Sequence, residues 1–244
     1  MIIDRLRDAE RVSVGDLAVA AGTSEMTIRR DLEQLAAQGL LRRVRGGAVS
    51  LLARGEGPPF ALRELEEVEE KRRIGAAVAG LIRDGEAVVI DSGTTGLEVA
   101  RALAGRRVTA MPLSLHAANA LANSASARLI QPGGEVRPGE LGVSGPLAES
   151  ALRALRFDTA VLTCCGASIE HGVTAYDLAD AAVKSAAVAA SRRVILATDS
   201  TKFARTAMAV VVPFDRIDVL VTDTGASAAT VDALRGLGIE VQLV

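Results

Sequence analysis

Aromatic side chains make up only 2% of the 244 residues, and tryptophan is absent. The apolar interior must therefore be built from Ala, Val, Leu and Ile. Single-stranded nucleic acids are gripped largely by stacking bases on aromatic rings, so a chain this poor in rings argues against that class. Cysteine is confined to the adjacent pair Cys164 and Cys165. Neighbours in sequence do not make a disulfide framework, and no metal-ligand spacing is present. The pair reads as small apolar residues at the end of a buried strand, and neither a metal nor a cofactor is expected. Charge of one sign is not in excess either: the net charge is -2. The whole molecule is no polyelectrolyte binder, and any basic function has to be local. No run approaches the roughly 20 apolar residues that span a bilayer. The opening "MIIDRLRDAER" is charged and holds no apolar core of signal length. A soluble, cytoplasmic protein without a membrane partner is the expectation.

What is present is ordinary globular composition, 49% hydrophobic and 24% charged, with length enough for more than one domain. The stretch "LLARGEGPPFALR" (51–63) contains Gly55, Gly57, Pro58 and Pro59. Pro-Pro resists both helix and sheet interiors, so this segment reads as a linker. The expected organisation is a small domain over 1–52, a linker over 53–63 and a larger domain over 64–244.

In the small domain, "SVGDLAVAAG" reads as a short helix ending at Gly22. Ser24 can cap a second helix running to Ala37, with Glu25 favourable in its first turn. Ile28, Leu32 and Leu35 then share one face, while Met26, Arg30 and Glu33 point away and Arg29 lies on the flank. Gly39 is the expected helix stop. The basic segment "LLRRVRGGAVSLL" follows, a glycine pair between short apolar runs, as in a two-stranded wing. Helix, tight turn, helix and basic hairpin outline a winged helix-turn-helix. Arginine makes bidentate contacts to phosphates and to guanine edges. The candidate contacts to duplex DNA are Ser24, Met26, Thr27, Arg29, Arg30, Arg42, Arg43 and Arg45. The competing reading has Arg29 and Arg30 solvated and paired with Glu25, Asp31 or Glu33; the flanking turn and hairpin favour DNA.

The large domain alternates apolar runs with Ala-rich helical segments such as 97–103 and 179–191. The expected strands are 87–91, 107–111, 128–131, 158–164, 193–198, 209–212 and 217–222. Continuous apolar strands alternating with helices predict an α/β fold with an open, mostly parallel sheet. Such sheets bind ligands outside the carboxyl ends of their strands. There the sequence places "DSGTT" (91–95), "PGGEVRPGELG" (132–142), "CGAS" (165–168), "DSTK" (199–202) and "DTG" (223–225). "DSGTT" also opens a helix, and its amides and hydroxyls suit a phosphate group. Lys184, Lys202 and Arg137 are candidate cations for the same site. A plain capped turn accounts for "DSGTT" equally well on its own.

These motifs resemble the DeoR family of bacterial transcription regulators over nearly the whole chain. The likeness rests on "S-E-x-T-I-R-R-D-L" (24–32), on Phe60, Arg63 and "EKRRI" (70–74), on "DSGTT", Gly133–Gly134 and Lys184, and on "DSTKF" (199–203). The resemblance implies a winged helix-turn-helix joined to a sugar-phosphate-sensing domain similar in fold to ribose-5-phosphate isomerase. It further implies a repressor of carbohydrate catabolic genes, homo-oligomeric as a dimer or tetramer, whose effector is a phosphorylated sugar or sugar alcohol. The effector-site residues so implied are Asp91, Ser92, Gly93, Thr94, Thr95, Gly133, Gly134, Gly166, Lys184, Asp199 and Lys202. Three departures stand out: family members have several more residues before the position of Ile2, Arg45 replaces a common His, and "MPLS" (111–114) and "TCCG" (163–166) are atypical. An enzyme reading, a sugar-phosphate isomerase carrying a helix-turn-helix, needs a carboxylate base beside the sugar. Glu135, Asp177, Asp180 and Asp199 are available, but no local pattern selects one. His116 and His171 read as surface or turn residues.

Overall fold

Hydrogen-bonding side chains mark where the small unit's helices begin. The computed structural model describes residues 1–2, 5–6, 9, 11–37, 41–50, 58–122 and 124–244. Two compact units result, Met1–Leu62 and Arg63–Val244. In the first, Ser13 Oγ accepts from the Asp16 amide at the start of the helix Val14–Ala21, which ends at Gly22. Ser24 Oγ accepts from the Thr27 amide at 3.2 Å and opens the helix Glu25–Ala37. Ile28 and Leu32 are closed to solvent and pack with Leu17, Leu41 and Ala48, with Leu35 at the margin. The expected stop at Gly39 and linker residues 53–57 lie outside the described residues.

The wing is strand β2 (Leu41–Val44) paired with β3 (Gly47–Ser50). A third strand, β1 (Arg11–Ser13), pairs with β3 on its other side and was not expected from the sequence. It also explains the glycine pair. Gly46 takes a left-handed turn at φ 80°, and a Cβ on Gly47 would sit 1.9 Å from the Val12 carbonyl oxygen. Pro58 and Pro59 precede a short helix, Phe60–Glu64, that runs across the boundary between the units.

The second unit is built on a parallel sheet. Its strands in chain order are β4 (Ala87–Ile90), β5 (Thr109–Pro112), β6 (Arg128–Leu129), β9 (Phe157–Leu162), β12 (Ser191–Ala197), β14 (Val219–Thr222) and β15 (Glu240–Leu243). The seven lie in the order β15-β14-β12-β9-β4-β5-β6, and every pairing is parallel. Alternate residues feed two apolar layers. Val88, Ile90, Val161, Ile195 and Val221 face the helices Val68–Leu81, Thr94–Leu103 and Leu115–Ala122. Val89, Ala160, Leu162, Leu196 and Leu220 face the other side, with the helices Pro146–Arg153 and Leu178–Ala189. Burial on both faces is why these strands read as unbroken apolar runs.

Two expectations need correction. Residues 209–212 form a strand, β13, but it pairs antiparallel with β11 (Gly172–Ala175), which pairs with β10 (Gly166–Ser168) in a separate sheet. The four apolar residues hid a half-exposed strand, for Val210 is 60% exposed while its neighbours are buried. Ser191 begins β12 instead of ending the preceding helix, which stops at Ala189. The edge strand β15 escaped notice because its residues are only partly buried and show no continuous apolar run. A two-stranded hairpin, β7 (Glu135–Val136) with β8 (Val143–Ser144), rises after β6. No helix among the described residues is long and apolar enough to cross a membrane.

Candidate functional site

On the first unit, the Ile28/Leu32 face is buried, so the opposite face of Glu25–Ala37 is left to solvent. Met26 is 74% exposed. Ser24, Met26, Thr27, Arg29, Arg30, Glu33 and Arg43 line one shallow concavity between this helix and the wing. Six of the eight residues expected to contact DNA thus share one surface; Arg42 and Arg45 are exposed on the wing beside it. Arg29 pairs with Glu25 at 2.9 Å, and Arg43 reaches from the wing to Glu33 at 3.2 Å. Among the described residues Arg30, Arg42 and Arg45 make no ion pair. The alternative in which both helix arginines are internally paired therefore holds for Arg29 alone.

On the second unit, strands β4, β9 and β12 are neighbours, and Asp91, Thr163 and Asp199 stand in the loops just past their carboxyl ends. Asp91 is buried. One of its carboxylate oxygens accepts from the Ser92 amide, the other from the amide and hydroxyl of Thr163 at 2.8 Å. Lys184 lies 2.9 Å from Asp91 and 3.3 Å from Asp180, with its side chain 4% exposed. Burial alone would lower the pKa of this lysine. The carboxylates of Asp180 and Asp91 outweigh that and hold it above the ordinary lysine value. Burial raises the Asp91 carboxyl above its usual range, against the pull of Lys184. Asp180 also accepts from Arg137 Nη2 at 3.2 Å and from the Ser92 hydroxyl at 3.3 Å.

This network includes Ser92 and adjoins Gly93–Thr95. Gly93 is the residue before the helix Thr94–Leu103, at φ 101°, a conformation that favours glycine. A Cβ on Gly96 would stand 2.2 Å from the Asp91 carbonyl oxygen, so the loop and the helix's first turn touch backbone to backbone. The first amides of a helix have no intrahelical acceptor. The hydroxyls of Thr94 and Thr95, on residues 5% and 6% exposed, likewise have no hydrogen-bond partner among the described residues. Such a cradle of donors suits an oxyanion.

Asp199 caps the short helix Ser200–Ala204 and accepts from Thr201. Its other carboxylate oxygen is buried without a hydrogen bond, 3.7 Å from Lys202 Nζ. Cys164 sits half-buried between these groups, its sulfur 3.2 Å from the Thr198 hydroxyl, and burial pushes its thiol up to about 12. Asp223 accepts from the amide and hydroxyl of Ser200 and from the Gly225 amide, which hold its carboxyl below the usual range against burial.

Of the expected effector residues, Asp91, Ser92 and Lys184 fall in one bonded network, with Gly93, Thr94 and Thr95 adjoining it. Lys184 does not present a free charge: its ammonium is taken up by two carboxylates, so its part is to hold the loop. Gly133, Gly134 and Gly166 are not bonded to this network. A Cβ on Gly134 would meet the Ser144 carbonyl oxygen at 2.5 Å, and one on Gly166 the Arg205 carbonyl oxygen at 2.4 Å. Of the acids weighed as a base, Asp177 caps Leu178–Ala189, Asp180 is paired, and Glu135 is exposed.

Sequence reasoning assigned no role to Arg63 or Lys71. Lys71 is buried, donates to the carbonyls of Arg63 and Glu66, and lies within the electrostatic reach of Asp199 and Lys202. Burial lowers its pKa to about 8. Arg63 pairs with Glu140, and its Nη1 lies 3.7 Å from where a Cβ on Gly93 would stand. Both residues belong to the stretches that carried the family resemblance; a lysine in "EKRRI" was the only local signal.

Residues 1–53 match the family described as the DeoR-like helix-turn-helix domain, and residues 66–224 match the DeoR C terminal sensor domain. The transcriptional repressor AccR of Agrobacterium fabrum is 34% identical over 92% of this chain and 88% of that protein. The glycerol-3-phosphate regulon repressor of Escherichia coli is 31% identical over 99% of this chain and 96% of that one. Among solved structures, ribose 5-phosphate isomerase A from Methanocaldococcus jannaschii aligns at a TM-score of 0.42, with 13% identity over 56% of this chain and 55% of that one, a likeness too distant to speak to function.

Proposed function

The chain belongs to the DeoR family of DNA-binding transcriptional regulators, and on that premise we propose that it is a cytoplasmic, homo-oligomeric repressor of carbohydrate genes, released from its operator by a phosphorylated sugar or sugar alcohol. The isomerase alternative falls with the family, whose matched members are regulators. The observation that carries the effector reading is the cradle at Ser92–Thr95, with two threonine hydroxyls unpartnered among the described residues beside a buried Asp91–Lys184–Asp180 network. The phosphate sits on the amides of Gly93 to Thr95 and the hydroxyls of Thr94 and Thr95, the Ser92 amide and hydroxyl being taken up by Asp91 and Asp180. Lys202 supplies positive charge, and the Asp199 oxygen that carries no hydrogen bond, 3.7 Å from Lys202 Nζ, is suited to a sugar hydroxyl. The similarity to a glycerol-3-phosphate regulon repressor agrees with a phosphate ester as ligand.

Two copies reading paired half-sites extend the short footprint of one helix and wing. A ligand shifts operator affinity only through unequal affinity for two arrangements of the protein. Coupling of about 1–3 kcal/mol changes operator affinity by roughly 5–150-fold, and DNA weakens effector binding by the same factor. The test is calorimetry with a panel of triose, pentose and hexose phosphates on the wild type and on Thr94→Ala with Lys202→Ala. Binding by the wild type and loss in the double variant is the expected result; equal binding by both removes the site.

A further inference from the structure

Resting on that effector reading, we propose that Arg63 and Glu140 form the switch of the site: a phosphate ester at Ser92–Thr95 competes with Glu140 for the Arg63 guanidinium. The exchange acts on the first residue of the sensor unit, which follows directly on Leu62 of the DNA-binding unit.

One guanidinium faces both ways. Its Nη2 pairs with Glu140, and its Nη1 lies 3.7 Å from where a Cβ on Gly93, the residue before the helix Thr94–Leu103, would stand. The side chains of Arg63 and Glu140 are only 20% and 25% exposed, so their attraction is less screened than on an open surface. Guanidinium offers a planar fork that a phosphate engages with two parallel bonds. A phosphate dianion placed on the loop draws on that fork and also repels the Glu140 carboxylate. The two anions cannot both keep their best geometry on one arginine.

Each end of this pair is mechanically connected. Glu140 stands in the turn of the β7–β8 hairpin, beside Leu141, whose φ of 50° is rare for a residue with a side chain. Leu141 closes the turn by donating to the Arg137 carbonyl at 2.9 Å, and its own carbonyl accepts from Leu115. Arg137 ties the same hairpin to Asp180, and through it to Ser92 and Lys184. On the other side, the Arg63 carbonyl accepts from buried Lys71, and Glu67 holds a left-handed φ of 46° before the helix Val68–Leu81. Two left-handed residues therefore flank the Arg63–Glu140 pair, the kind of local strain that marks a segment with alternative arrangements. Arg63 lies in the helix Phe60–Glu64, so its displacement bears on the covalent path between the units.

The test compares the wild type, Glu140→Gln and Arg63→Lys. Calorimetry measures affinity for sn-glycerol 3-phosphate, ribose 5-phosphate and glucose 6-phosphate, with the parent polyols as uncharged controls. Hydrogen exchange follows residues 60–71. Glu140→Gln removes the competing anion, so the ester that binds the wild type binds it about 3- to 10-fold tighter, while the polyols are unaffected. Without ligand, its 60–71 segment exchanges as the liganded wild type does. Arg63→Lys keeps the charge and loses the fork, and binds the ester more weakly. Unchanged or weaker ester binding by Glu140→Gln, or unchanged binding by Arg63→Lys, overturns the switch and leaves the effector site standing. A wild type that binds none of the esters overturns the effector reading and the switch together.

Discussion

Lys184 holds its ammonium 2.9 Å from the Asp91 carboxylate, and neither side chain is more than 4% exposed. With Asp180 at 3.3 Å on the same ammonium, one cation serves two carboxylates. Taking away one member of a buried set leaves uncompensated charge, at a cost of about 3–5 kcal/mol. Lys184→Met is expected to lose stability on that scale in urea unfolding. Adding Asp91→Asn to it should restore a part, because the orphaned charge is removed. A single variant as stable as the wild type would show that the network is not held by its charges.

Lys71 sets a pH dependence. Its folded pKa of about 8 lies below the 10.5 of an ordinary lysine. Below pH 8 both states are protonated and the cost of burying the charge is fully present. Between about 8 and 10.5 the unfolded chain binds more protons, so the Lys71 contribution makes stability rise with pH, by at most about 1.4 kcal/mol per unit. Measured as the difference between wild type and Lys71→Met across that window, the rise belongs to Lys71. A flat difference would place its pKa at the ordinary value.

The two helix arginines should differ on DNA. Arg29 is engaged by Glu25, whereas Arg30 carries no ion pair among the described residues and shares its concavity with exposed Met26. Arg30→Ala is expected to weaken operator binding by about 1–3 kcal/mol if it reads a base. Arg29→Ala should weaken it less. Equal losses in an electrophoretic shift assay would mean that DNA draws Arg29 away from Glu25.

Arg42 and Arg45 stand on the hairpin with no carboxylate among the described residues to orient them. They are expected to act on backbone phosphates, so that Arg45→Ala weakens all sequences alike and lowers the salt slope by about 1. Lost discrimination between operator and random duplex at an unchanged slope would point to base reading instead.

Gly96→Ala probes the loop Ser92–Thr95, the proposed effector site, without touching charge. The added Cβ meets the Asp91 carbonyl at 2.2 Å and must displace it. A destabilisation of about 1–3 kcal/mol, together with loss of sugar-phosphate binding, is the expected result. Retained binding at wild-type affinity would separate the loop from the ligand.

The sequence by itself determined what depends on neighbours along the chain. Ser13 and Ser24 begin helices because a hydroxyl reaches an amide three residues on. Ile28 and Leu32 face the core because the helix period puts them there, and Arg30 faces away for the same reason. Strands β4, β9, β12 and β14 were legible because burial on two faces requires continuous apolar side chains. The tertiary structure alone decided the contacts that join distant stretches. The apolar run Ala209–Val212 carries no mark of the sheet it enters, and only pairing with β11 placed β13 outside the parallel sheet. Asp91 meets Thr163 across 72 residues, and Arg63 meets Glu140 across 77. Lys184 reads in sequence as a free cation on a helix; folding set it between two carboxylates and left Lys71 buried within the electrostatic reach of Asp199 and Lys202. Periodicity and capping are short-range and survive in the one-dimensional pattern, whereas the neutralisation of a charge depends on which strand ends the sheet order brings side by side.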